Sequence, residues 1–244
     1  MPMRPYALLI AALMLFSVPA AAEAPRVVVS VKPVHSLVAG VMEGVGVPDL
    51  LVKGNASPHT YALKPSDAAA LGSAKLVFWV GHDLEAFLEK PLATLGTGAE
   101  VVELADEPGI RTLPVRKGGL WAGGHDDGHG HGTAGHHGRE DPRDGHVWLD
   151  PANARAIVAL AADRLAGVDP ANGDAYRANA LRMQARLDAL DAELRETLAP
   201  VRDRAFVVFH DAYRYFEERY ALQAAGSITV NPERPIPPTT RSSR

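Results

Sequence analysis

Residues 26–44 read RVVVSVKPVHSLVAGVMEG, and this stretch decides the fold. Val27, Val28, Val29 and Val31 form a β-branched run of the kind buried on both faces of a parallel sheet. Lys32-Pro33 ends the run, and residues 34–42 take up helical spacing that Gly44 closes. A buried strand leading straight into a helix is the repeating unit of an α/β fold.

The same alternation continues outward. Strands are predicted at residues 48–52, 76–80 and 101–104, with Ser66 capping a helix over 67–71. A further helix over 84–95 is interrupted by Pro91. From Gly118 to Gly145 there is almost nothing to bury, and Gly, His and Asp dominate, which marks a solvated loop. Beyond it Val147-Trp148-Leu149 is apolar, and Asp150-Pro151 is a cap-plus-first-turn pair that opens a helix through Ala166. Met183, Leu187, Leu190, Leu194 and Leu198 fall three or four residues apart, predicting an amphipathic helix over 172–198 with one buried stripe. Pro200 ends it, and a strand at 205–209, a helix at 211–220 and a strand at 227–230 follow.

The expected architecture is therefore α/β: two lobes with mainly parallel sheets, bridged by a long helix, the C-terminal lobe incomplete. The expected boundaries are 23–167 for the first lobe (with the His-rich loop at 118–145), 168–200 for the linking helix and 201–233 for the start of the second lobe. Residues 234–244, rich in Pro, Ser and Arg, are expected to be unstructured. A second lobe of about 30 ordered residues is below the size at which a core usually supports itself. It either packs on the first lobe as an appendage or lacks part of a larger domain, and the second reading is preferred.

Composition narrows the function. The chain has 244 residues, 47% of them hydrophobic and 22% charged, and the net charge of −4 is of the wrong sign for neutralising phosphates, so no nucleic-acid partner is expected. The absence of Cys excludes a disulfide scaffold, a thiolate zinc site and thiol catalysis. Residues 1–22 read as an export signal: Arg4, an apolar run over 7–18 too short to span a bilayer, then Ala20-Ala21-Ala22 for the peptidase. Cleavage there removes one arginine and takes the net charge to −5. No later segment is apolar enough to cross a membrane, so a soluble periplasmic protein is expected.

Ten histidines are the unusual count. His125, His129, His131, His136 and His137 lie in the loop among Gly, Asp126 and Asp127, a tract suited to weak, accessory capture of Zn, Cu or Ni. His59 lies in a Pro-stiffened loop after a strand, His146 immediately before Val147-Trp148-Leu149, and His210 at the carboxyl end of the run Phe206-Val207-Val208-Phe209. Open α/β sheets bind ligands at that edge, so the three can converge on one crevice. His35 is expected to hydrogen-bond locally, and His82 to lie at the surface. Three His with an open water position would also suit a zinc hydrolase, but the sequence has no His-Glu-x-x-His helix and no evident general base beside His59.

Four runs carry a resemblance: residues 57–67 (SPHTYALKPSD), Val80-Gly81 with residues 84–87 (LEAF), residues 146–151 (HVWLDP), and residues 209–213 (FHDAY) with Tyr215-Phe216. Together they resemble the zinc-uptake substrate-binding proteins of bacterial ABC transporters, in solute-binding protein family 9. The resemblance covers residues 27–233 and leaves 234–244 outside. It implies a monomeric carrier, not an enzyme, that binds Zn²⁺ between two lobes and hands it to a membrane permease. It also implies His59 and His146 as ligands from the first lobe and His210 from the second, with the fourth ligand unassigned. Relatives continue past residue 233 into further α/β units, so capture by this chain is expected to be impaired. The alternative within the family is a manganese or iron carrier, in which a carboxylate commonly replaces one His and the His-rich loop is missing.

Overall fold

The computed structural model of the chain describes residues 23–116 and 142–229. Strands β1 (Val27–Val29), β2 (Asp49–Leu50), β3 (Leu76–Trp79) and β4 (Glu100–Glu103) form one sheet in the order β2-β1-β3-β4, every pair parallel. Alternation of side chains across β1 and β3 divides the core in two. Val27, Val29, Leu76 and Phe78 face helices α1 (Lys32–Val41), α4 (Pro151–Val168) and α5 (Gly173–Leu198). Val28, Val77 and Trp79 face α2 (Pro65–Ser73) and α3 (Glu89–Leu95). The sheet is thus covered on both sides, which is why its central strands carry no polar residue.

Several local expectations shift by a turn. Lys32 and Pro33 belong to the first turn of α1, where the missing proline N–H leaves no ladder bond unmade. Ser66 is not the cap of α2. Asp67 at its third position instead accepts the Lys64 N–H at 3.0 Å, while its own N–H reaches the Lys64 carbonyl. Pro91 sits in the opening turn of α3 and interrupts nothing. The apolar residues Val147–Leu149 form a 3₁₀ turn, which the Asp150 N–H closes on the Val147 carbonyl.

The long helix is real, but its buried stripe is shorter than the spacing predicts. Tyr176, Asn179 and Ala180 are buried, and the Asn179 amide donates to the Val41 and Glu43 carbonyls at 2.8 and 2.9 Å, satisfying the open end of α1. Met183 and Leu187 still pack on the core, whereas Leu190 is 44% exposed because α5 has by then passed the edge of the first lobe.

Its far half meets the second unit, built from β7 (Phe206–His210), α6 (Arg214–Tyr220) and β8 (Ala224–Thr229), with β7 and β8 parallel. Asp191 of α5 accepts from Arg219 Nε and Tyr220 Oη, both at 3.0 Å, and the Arg219 guanidinium pulls its carboxyl down to about 2. Tyr215 of α6 is buried in the core of the first lobe. Val207, Phe209 and Ile228, by contrast, lie on an exposed sheet face. This unit packs on the first lobe through Tyr215 and on α5 through Arg219 and Tyr220. Among the described residues no helix is long and apolar enough to cross a membrane.

The turn after β3 holds a buried carboxylate. Glu85 Oε2 accepts the Val80 and Gly81 N–H groups at 2.9 Å each, and burial pushes its carboxyl up to about 7. A carboxyl raised above its unfolded value takes up a proton on folding. Stability is therefore expected to fall as pH climbs from about 5 to 7, by on the order of 3 kcal/mol from this group. Glu85→Gln keeps an acceptor for both N–H groups without the charge. Urea unfolding midpoints at pH 5, 6, 7 and 8 should show a flatter profile for the variant and greater stability at pH 8. An unchanged pH slope would contradict this account of Glu85.

Candidate metal centre

Three of the ten histidines meet at one point. His59 is placed by a turn in which Ser57 Oγ accepts the His59 N–H at 3.2 Å. The base of that loop is pinned by Tyr61, whose hydroxyl lies 2.8 Å from the Asp67 carboxylate and 3.1 Å from the Leu51 carbonyl, and whose ring stacks on Phe87. His146 follows β6 (Arg143–Asp144), which pairs antiparallel with β5 (Leu113–Pro114). His210 is the last residue of β7. These anchors come from three separate parts of the sequence, yet the ring centroids lie 5.7 Å (His59 to His146), 5.4 Å (His59 to His210) and 5.2 Å (His146 to His210) apart.

One ring nitrogen from each histidine lies within 4.8 Å of the other two. In a tetrahedral zinc site with Zn–N bonds of about 2.0–2.1 Å, the donors stand about 3.4 Å apart. A small inward movement of the rings is enough to close on an ion. His146 is buried and His59 and His210 are half-buried, with both ring nitrogens of His210 shielded from solvent. Trp148 stands edge-on to His146 at 5.4 Å and supplies an apolar wall.

What surrounds the rings favours a cation. Asp144 Oδ1 lies 2.7 Å from His146 Nδ1 and also accepts the His146 N–H at 2.9 Å. With Nδ1–H directed to the carboxylate, Nε2 is left as the donor toward the other two rings. Asp211, next to His210, and Glu217 face the same region with Arg116, which pairs with Glu217 and stands 3.4 Å from Asp211. Burial pushes both of these carboxyls up and the guanidinium draws them back. Asp144, Asp211 and Glu217 thus lie close to the three rings, with Arg116 and Arg214 acting on Asp211.

The other histidines behave differently. His35 Nε2 lies 2.9 Å from the Pro48 carbonyl, thirteen residues away. His82 is not a surface residue: its side chain is only 20% exposed, with Nδ1 3.0 Å from Glu103 Oε1 and Nε2 3.4 Å from Asp83. His125, His129, His131, His136 and His137 lie outside the described residues. The residues that sequence reasoning missed are Asp144, Arg116, Asp211 and Glu217. Asp144 alone left a local signal, since an Asp two residues before a His can bond its backbone N–H in an Asx turn.

Known proteins resemble the chain in sequence and in fold. A family profile described as zinc-uptake complex component A, periplasmic (ZnuA), matches residues 27–243, including the stretch 234–243 that the motif resemblance leaves outside. The high-affinity zinc uptake system protein ZnuA of Brucella abortus is 46% identical over 239 residues, covering 88% of this chain and 70% of that one. A crystal structure of ZnuA superposes with a TM-score of 0.69 at 28% identity, over 85% of this chain and 71% of that one. Zn(II)-bound AdcA from Streptococcus pneumoniae shares the fold, with a TM-score of 0.67 at 22% identity, over 86% of this chain and 40% of that one.

The Asp144 contact generates a direct test. Asp144→Asn keeps the size of the side chain but removes its charge, and is expected to weaken zinc binding by about ten- to a hundredfold. Competition with a chromophoric chelator measures this, and an unchanged affinity would separate Asp144 from the site.

Proposed function

The chain belongs to the periplasmic zinc-uptake component A family, and we propose that it captures Zn²⁺ between His59, His146 and His210 and delivers it to the permease of an ABC importer. The observation that carries this reading is the convergence of three imidazoles from three distant segments of the chain. Neutral nitrogen ligands suit zinc, whereas manganese and magnesium prefer oxygen donors. The ion is cargo, and the site's character supports that role. The three imidazoles come from a loop, a turn and a strand end, and no fourth histidine, cysteine or carboxylate among the described residues is grouped with them. A structural zinc site is instead closed by four protein ligands.

The carrier does no covalent chemistry. His59 and His146 are attached to the first lobe and His210 to the second unit, so occupancy draws the two together. Residues 1–22 serve as the export signal and the mature chain works in the periplasm as a monomer. The cluster His125, His129, His131, His136 and His137 acts as an accessory collector that raises the local concentration of the ion, with loose geometry and weak affinity. The fourth ligand position is filled by a group or water beyond the three imidazoles.

Metal analysis of the purified chain, combined with chelator competition, tests the reading. One tight zinc equivalent per chain is expected, kept when residues 118–141 are deleted and lost in His59→Ala, His146→Ala or His210→Ala. Excess Mn²⁺ should leave that equivalent in place. A tight equivalent that survives all three alanine substitutions would overturn the assignment, and displacement by Mn²⁺ at comparable concentration would favour a manganese carrier.

A further inference from the structure

We infer that Tyr215 is a positioning residue of the metal centre, its hydroxyl pinning the β5–β6 ribbon so that Asp144 holds the His146 ring toward His59 and His210. This deepens the zinc-capture reading and rests on it.

Tyr215 lies on α6, the helix that follows the strand ending in His210, yet its side chain is buried in the core of the first lobe. Its oxygen accepts the Leu113 N–H at 2.9 Å and donates to the Asp144 carbonyl at 2.7 Å. Leu113 and Asp144 face one another across the ribbon, so a single hydroxyl joins the two strands at that pair. The strands need such help. Each is two residues long, and Pro114 brings no N–H to the ladder. Burial pushes the phenol up to about 12, so the oxygen keeps its proton and serves as donor and acceptor together.

The position of this bond gives it more than a packing role. Asp144 binds Tyr215 through its carbonyl and His146 through its carboxylate, so one residue passes the constraint from the helix to the imidazole. A second tie runs parallel to it, because Arg116 carries the other end of the ribbon to Glu217 on α6. Helix α6 and strand β7 belong to the same unit, and β7 ends in His210. The placement of His210 and the orientation of His146 are therefore linked through the Tyr215 hydroxyl, although the residues lie far apart in sequence.

Tyr215→Phe removes one oxygen and keeps the ring. Zinc dissociation constants measured by chelator competition on the full chain for wild type, Tyr215→Phe, Asp144→Asn and the double variant form a cycle. The single tyrosine change is expected to weaken binding about three- to tenfold, at the lower end of what outer contacts of a metal ligand contribute. In the Asp144→Asn background it should cause no further loss, because the route to His146 is already cut. Thermal midpoints should fall in both backgrounds, since Leu113 N–H and Asp144 C=O lose their partner either way. Unchanged zinc affinity, or a loss that adds in full to that of Asp144→Asn, would reduce Tyr215 to a structural role and overturn the inference. His59→Ala in the same assay tells the two failures apart, because binding that survives it means the zinc site itself has been misplaced. Should Tyr215→Phe not fold, 3-fluorotyrosine at position 215 keeps the hydroxyl. Its ¹⁹F resonance should move on addition of one zinc equivalent in wild type and stay still in zinc-saturated Asp144→Asn, and a resonance that never moves contradicts the link.

Discussion

The hydrogen bond between Asp144 Oδ1 and His146 Nδ1, at 2.7 Å, is the contact on which the proposed metal centre depends. An imidazole can offer either nitrogen and can turn about two torsions, so an unsupported ring is a poor ligand. The carboxylate fixes the tautomer, aims Nε2 and adds negative charge behind the site. The rest of the structure can be ordered by how it serves that bond. The ribbon places Asp144, the turn at Val147–Leu149 turns the chain away, and the Asp150 cap starts α4, with Asp150 Oδ1 accepting the Ala152 N–H at 2.9 Å.

The two parts of the molecule contribute unequally. The first lobe has a sheet covered on both faces and supplies two of the three imidazoles on supported loops. The second unit contributes His210 and is held by Tyr215, buried in the core of the first lobe and bonded to the ribbon, and by the polar contacts of Arg116 with Glu217 and of Arg219 and Tyr220 with Asp191. The apolar exposure of Val207, Phe209 and Ile228 shows how little of the sheet's own outer face is covered among the described residues.

Much of this was legible in the sequence. The valine run at 27–31 announces a parallel sheet because only a strand buried on both faces can be apolar throughout. His59 in a loop after a strand, His146 before the turn that leads into α4 and His210 at the end of β7 could be singled out because side chains from different α/β units reach one crevice at that edge. The length of buried stripe on α5 was not legible, since periodicity records which face is apolar and not where the neighbouring lobe stops. Tyr215 and Arg116 were missed for a related reason. Their role lies in contacts such as Leu113 to Tyr215, which join residues about a hundred positions apart and leave no local pattern. Ser66 and Asp67 show the same limit at short range: both can cap a helix, and the backbone of Lys64 decided for Asp67.

X-ray absorption at the zinc edge tests the central claim most directly. A chain lacking residues 118–141, loaded with one equivalent of zinc, should show three imidazole nitrogens at about 2.0 Å, a shell that His210→Ala abolishes. A zinc shell with fewer than two imidazoles, or a bound ion that disappears with the deleted segment, would contradict the claim that His59, His146 and His210 form the site.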